Sequence, residues 1–185
     1  MSVAEGKGLL TIEEFSRLTN EGPVVELVRG RLVEVNQPKP RHGQICVRIT
    51  VFYANAAKDR ELGHVVCNDT GIITERNPDT VRGADVAFWS YAKLPKGPLP
   101  DTYLSVAPDV VFEVFSADDR WTDVNNKVAE YLQAGVRVVC VAEPKTETVH
   151  VFRRNKEVEK LTGDQELVLA EFSVDFAVPV KEFFS

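Results

Sequence analysis

Between His42 and about Arg60 the apolar residues Ile45, Ile49, Phe52, Tyr53 and Ala56 recur at helical spacing. They predict one long amphipathic helix whose apolar stripe packs on a sheet. Before it the period shortens to two. "VVELVRGRLVEV" reads as two β-rich runs around Arg29-Gly30, a hairpin, and Thr11-Ile-Glu-Glu14 has the capping-box pattern of a short helix over about 12–18. Beyond the long helix, "HVVCN", "GIITE" and "ADVAFWS" read as short strands. They are followed by "KLPKGPLPDTYLSVAPD", whose four prolines predict an extended surface loop and a candidate rim or lid.

"DVVFEVFS", residues 109–116, is β-branched and apolar enough for a strand buried on both faces. A second helix is expected from near Thr122, with Val124, Val128, Tyr131 and Leu132 in one stripe and Gly135 at the C-terminal cap. "VRVVCVAE" is another buried strand, so residues 110–142 predict a right-handed strand-helix-strand crossover with parallel strands. From "TVHVFRRNKEVEKL" onward the alternation predicts antiparallel hairpins and a closing "VKEFF". The pattern amounts to a mixed α/β fold: helices flank a central mixed sheet, with hairpins at both ends. Its 185 residues suit a single domain, 1–185.

Composition narrows the function classes. With 44% hydrophobic residues the chain can bury a core, and 22 basic against 28 acidic residues give a net charge of −6, which argues against a general polyanion coat. Contacts to nucleic acid would have to be local, from stretches such as "RHGQICVR", "RELGH", "PKTET" and "FRRNKEVEK". No apolar run approaches the ~18 residues of a membrane span, and the N-terminus lacks a signal-peptide pattern, so a cytoplasmic protein with no membrane partner is expected. Cys46, Cys67 and Cys140 are an odd set without CxxC spacing in apolar surroundings. They read as reduced core thiols.

The chemistry starts from Glu113, a carboxylate in the middle of the buried run. An unpaired charge there costs several kcal/mol or stays protonated. Period-two alternation puts Val110, Phe112 and Val114 on one face and Asp109, Val111, Glu113 and Phe115 on the other. Asp85 has the same character, just inside the strand of "RGADVAFW". If the two strands are neighbours, the carboxylates converge and can hold a hard cation such as Mg²⁺. Lys127 lies three residues after Val124 and four before Tyr131, at the edge of the sheet-facing stripe, from which its ammonium could reach that rim. The plain alternative for Lys127 is a surface ion pair with Asp123 at i, i+4.

In this order of residues the chain resembles the PD-(D/E)XK nuclease superfamily, in particular a bacterial branch of small restriction-endonuclease-like proteins of unassigned biological role. The stretches that carry the resemblance are "VVELVRGRLVEV", "RHGQICVRI", "RGADVAFW" and "APDVVFEVFSADDRWTDVNNKVAEYLQAGVRVVCVAEP", within about residues 10–155. It implies a restriction-endonuclease-like core in which Asp85 and Glu113 hold the metal, Glu26 is an auxiliary acid and Lys127 is the catalytic lysine. Two departures stand out: Ala84 occupies the proline position of the motif, and Phe115 the position of its lysine. Lys127 then serves as a lysine relocated to the helix. His42, at the start of the long helix, is a secondary candidate for contacting phosphate or supporting the ligands from behind.

Two literal motif matches are set aside. Asp109 of Pro108-Asp109 is four residues from Glu113 on the same strand, ~13 Å away, too far to share a cation. Glu143-Pro-Lys145 falls where a strand ends, leaving Glu143 as a candidate for the edge of the site. His64 and His150 have no metal-ligand spacing. The expected function is a Mg²⁺-dependent endonuclease, with Mn²⁺ as substitute, that hydrolyses phosphodiester bonds of DNA and works as a homodimer or higher assembly. The alternative is a catalytically inactive module of the same fold that binds protein or nucleic acid. A carboxylate glycosidase would want exposed aromatics by the acids, and only Trp89, Tyr103 and Trp121 are available.

Overall fold

The crossover expected over 110–142 forms the centre of the molecule. In the computed structural model, which describes residues 8–18 and 24–185, β5 (Val110–Val114) and β6 (Val138–Glu143) lie side by side and parallel, joined by α3 (Trp121–Ala134). Gly135 closes α3 in the left-handed conformation, φ 104°, and its N–H bonds back to the last turn. The other strand pairs described are antiparallel. β1 (Val25–Val28), β2 (Arg31–Glu34), β3 (Gly63–Glu75), β4 (Thr80–Ser90), β7 (Thr148–Arg153) and β8 (Glu159–Thr162) complete an eight-stranded mixed sheet. Its order is β2-β1-β4-β5-β6-β7-β8, with β3 on β4. β9 (Glu166–Val168) and β10 (Ala177–Pro179) form a small separate sheet ahead of α4 (Lys181–Phe184).

Helices cover both faces of the large sheet, as expected. α2 (Pro40–Asp59) lays Ile45, Ile49 and Tyr53 on Val110, Phe112 and Val114, and the closing "VKEFF" adds Phe183 and Phe184 to that side. α3 lays Val128 and Tyr131 on Val111, Val139, Val141 and Trp89. Burying each of these large side chains contributes roughly 1.5–3 kcal/mol, and the two faces of β5 are those its alternation predicted. α2 begins two residues before His42 because Pro40 takes a first-turn position, where its missing N–H costs nothing. In the β1–β2 hairpin both Arg29 (φ 49°) and Gly30 (φ 73°) take the left-handed conformation. A Cβ at Gly30 would sit 2.6 Å from the Leu9 Cβ.

Several expectations are corrected. The first helix, α1 (Ile12–Phe15), keeps the complete capping box of Thr11 and Glu14 but stops well short of residue 18. "HVVCN" and "GIITE" are one strand, β3, with a bulge at Asn68-Asp69, both of which have positive φ, and a second register shift between Ile73 and Glu75. Asn and Asp tolerate that conformation, so the polar "NDT" kinks the strand rather than ending it. Cys140 is a buried thiol, but Cys67 is exposed and Cys46 only half-buried. Trp89 is buried, with its indole N–H donated to the Val106 carbonyl at 2.8 Å, and cannot be a sugar platform.

The position of the site follows from how β4 is shared. β3 runs along one edge of β4 for its whole length. The opposite edge has two partners: β1 reaches Val81 through Leu27, and β5 takes over at Val86, opposite Phe112. Residues 82–85 lie between them, where the sheet splits.

Candidate active site

Polar side chains take the place of the missing strand at this split. The Gly83 N–H is donated to Glu26 Oε1 at 2.9 Å, and the Gly83 carbonyl accepts from the Tyr131 hydroxyl at 3.1 Å. The Val114 N–H, where β5 diverges from β4, is donated to Asp85 Oδ2 at 2.6 Å. Backbone groups that a continuous sheet would pair are thus satisfied by Glu26, Tyr131 and Asp85. The same side chains line a cleft of about 680 Å³ or lie directly behind it.

α3 supplies the cation. Lys127 Nζ lies 3.0 Å from Glu113 Oε2 and 3.4 Å from Glu26 Oε1, while the Tyr131 hydroxyl lies 2.8 Å from Glu113 Oε1. The phenol has one proton for two acceptors, Gly83 and Glu113. Its proton is shared between the Gly83 carbonyl and the Glu113 carboxylate, both within hydrogen-bond distance. Arg82 anchors Glu26 from behind, with Nη1 at 2.9 Å from Glu26 Oε2 and a two-point grip on Glu130 at 2.6 and 2.7 Å.

α2 reaches the cleft from the other face. His42 Nε2 lies 3.3 Å from Asp85 Oδ2, and His42 Nδ1 lies 3.4 Å from Cys46 Sγ. The β3 bulge brings Asp69 to the lining, packed over residue 83: a Cβ there would lie 3.2 Å from both the Cβ and the carbonyl oxygen of Asp69. A side chain at 83 would push the bulge back by a few tenths of an ångström.

Burial and charge act against each other in this cleft. Burial pushes Glu113 up to about 7, with the Asp85 charge adding to it and Lys127 and Tyr131 pulling it down. Burial would raise Glu26 too, but Lys127, Arg82 and the Gly83 N–H hold it below the usual carboxylate range. Asp69 is raised by partial burial and by Asp85. Burial opposes the charged form of Lys127, yet Glu113 and Glu26 outweigh it and hold the ammonium firmly protonated. His42 is raised as well, because the bond to Asp85 and its charge exceed the effect of burial. Of the acids that line the cleft, Glu26, Asp69, Asp85 and Glu113 lie with Arg82, Lys127 and His42. Carboxylates gathered this closely, with the Asp85 charge raising both Asp69 and Glu113, form a donor set that fits a hard divalent cation.

All five expected residues, Asp85, Glu113, Lys127, Glu26 and His42, line this one cleft. Lys127 pairs with Glu113 and Glu26, and no ion pair joins it to Asp123 among the described residues. Phe115, in the usual lysine position, instead stacks on Trp121 with ring centres 4.8 Å apart. The proline-rich loop brings Tyr103 to the rim. Asp109, set aside above, is sealed at the other end of β5 by Ser90, Lys93 and Arg137. Glu143 does not reach the cleft. It accepts from Thr146 at 2.7 Å and faces His150 at 3.2 Å, closing the turn after β6, where the strand carries it away from the split.

Sequence reasoning missed Arg82, Tyr131, Asp69 and Cys46. The helical period puts Tyr131 in the apolar stripe, which its ring does join. Cys46 had a readable signal, its i, i+4 spacing from His42. Arg82 and Asp69 had none, because their roles depend on which strands flank β4.

The comparisons with known proteins agree with this picture. The Uma2 family model, described as "Putative restriction endonuclease", matches residues 12–181. No curated protein matches the chain. Among solved structures, the chain is similar to one from Anabaena variabilis described as a putative nuclease belonging to DUF820. The two are 21% identical over 95% of this chain and 97% of that one, with a TM-score of 0.82. At that identity the likeness establishes the fold alone, a mixed α/β core. The family match spans every element that lines the cleft, and the chain belongs to the Uma2 family of restriction-endonuclease-like proteins.

Proposed function

We propose that the chain is a divalent-cation-dependent endonuclease that hydrolyses phosphodiester bonds of DNA. Asp85 and Glu113 would hold Mg²⁺, or Mn²⁺ in its place. The observation that carries this reading is Lys127, shared between Glu113 and Glu26 at the split of β4 and β5, beside Asp85. Membership of the family supports the nuclease class. When bound, the cation supplies Lewis-acid polarisation of the scissile phosphate and a more acidic water. The Lys127 ammonium, fixed between two carboxylates, stabilises negative charge developing on the phosphate. Glu26, held by Arg82 and the Gly83 N–H, keeps that ammonium in place. His42 orients Asp85.

Lys39 offers a local contact for the DNA backbone, since its partner Asp118 at 2.8 Å lines the cleft. Cutting both strands calls for two copies, so the reading includes a homodimer or higher assembly. Thermal melting with and without Mg²⁺ or Mn²⁺, together with cleavage of plasmid DNA, tests it. At a metal concentration a hundred times Kd the wild type should gain about 2.7 kcal/mol, roughly 5–10 °C in Tm. Glu113→Gln should lose both the gain and the cleavage. No shift and no cleavage of any nucleic acid with either metal would leave the non-enzymatic binding module as the better reading.

A further inference from the structure

Among the described residues, His42, Cys46 and Asp85 are the group of three whose ligand atoms, one from each side chain, all lie within 4.8 Å of one another. We propose that they form a second metal site, for Zn²⁺ or another borderline-soft divalent cation, that competes with the hard-cation site for Asp85. The site stands on its own geometry; only the competition rests on the reading of Asp85 as a ligand of the catalytic cation.

His42 and Cys46 are one turn apart on α2, so their side chains share a helix face, and Asp85 meets them from β4. The imidazole lies between the other two, 3.3 Å from Asp85 Oδ2 and 3.4 Å from Cys46 Sγ. Zn²⁺ binds nitrogen at about 2.0–2.1 Å, sulfur at about 2.3 Å and oxygen at about 2.0–2.2 Å, so tetrahedral ligand atoms sit roughly 3.3–3.6 Å apart. One ring nitrogen can ligate, and a side-chain adjustment on the order of 1 Å brings the third donor in. Asp85 Oδ2, the oxygen that faces His42, also accepts the Val114 N–H, and its second lone pair is the one that binds.

Nitrogen, sulfur and oxygen together select against Mg²⁺, which takes oxygen ligands, and favour Zn²⁺. His42 and Asp85 line the cleft, so the fourth position faces solvent and takes a water. The Cys46 thiol proton passes to solvent as the metal–sulfur bond forms. A metal seated here withdraws Asp85 from Glu113, and the protein becomes a nuclease that zinc switches off.

Titrating the full chain with Co²⁺ as a zinc surrogate reads the site directly, through the near-ultraviolet band of a thiolate–cobalt bond. The band is expected in wild type, Cys67→Ala and Glu113→Gln, lost in Cys46→Ala and Cys46→Ser, and bleached by one Zn²⁺ per chain. No band in wild type, a band surviving in both Cys46 variants, or one lost with exposed Cys67 would overturn the site. The competition is read separately, as the Zn²⁺ concentration that releases half of the bound Mn²⁺, followed by the electron paramagnetic resonance signal of free Mn²⁺. Cys46→Ser should need at least tenfold more Zn²⁺ than wild type, and equal sensitivity would overturn the competition. A chain that shows the band but cuts no nucleic acid keeps the metal site and loses the nuclease reading.

Discussion

Asp109, just before β5, and Glu113, near its end, are both buried acids, 1% and 9% exposed. Asp109 accepts the Ser90 N–H at 2.9 Å and has two cations beside it, Lys93 at 3.3 Å and Arg137 at 3.6 Å. It pins the start of the strand, and nothing about its surroundings asks for a ligand. Glu113 shares its one cation, Lys127, with Glu26, feels the charge of Asp85, and borders a cleft. Burial of a carboxylate is therefore no mark of a site. The mark is an excess of acids over fixed cations where the backbone opens to solvent.

Substitution at the two ends should separate them most in activity. Asp85→Asn or Glu113→Gln should lower metal-dependent cleavage by about 10²–10³-fold or more, the scale of losing a group that stabilises transition-state charge. Asp109→Asn should leave cleavage unchanged when both are assayed on plasmid DNA below the melting temperature. Equal losses at both ends would erase the distinction.

Stability should separate them next. Lys127→Met leaves Glu113 and Glu26 without their ammonium. The expected cost is about 2–3 kcal/mol, below the range for fully buried pairs because the lysine side chain is 23% exposed. Adding Glu113→Gln should recover part of that loss in a double-mutant cycle by denaturant unfolding, and no activity with it. Simple additivity would mean that Lys127 and Glu113 are not coupled.

The smallest effect belongs to the structural end. Asp109→Asn keeps an acceptor for the Ser90 N–H but removes the charge facing Lys93 and Arg137, at about 1–2 kcal/mol. Its Tm should fall by a few degrees, equally with and without Mg²⁺. A fall seen only with metal would place Asp109 in the site after all.

The contrast between Lys127 and Arg82 shows how far the sequence could be read. Lys127 is legible because helical period alone puts it at the edge of the stripe that faces the sheet. Arg82 is held just as firmly, by Glu26 and Glu130, yet nothing in "TVRGAD" announces it. Its partners come from β1 and α3, brought beside it only by the order of strands. Glu143 shows the converse. A motif written along the chain led to the edge of the site, but the run of β6 carried that residue to a turn.

Asp85 and Glu113 were determined by the sequence, each an acid in an otherwise apolar β-branched run, and so were the parallel crossover and the sheet-facing edge of α3. These follow from periods of 2 and 3.6, which each segment expresses locally. The tertiary structure alone decided that β1 and β5 divide one edge of β4 and leave residues 82–85 open. It also decided that Asp69 enters on a bulge and that Cys46 and His42 meet Asp85. Such choices depend on pairing every backbone group and filling the core across the whole molecule, and no single segment carries that information.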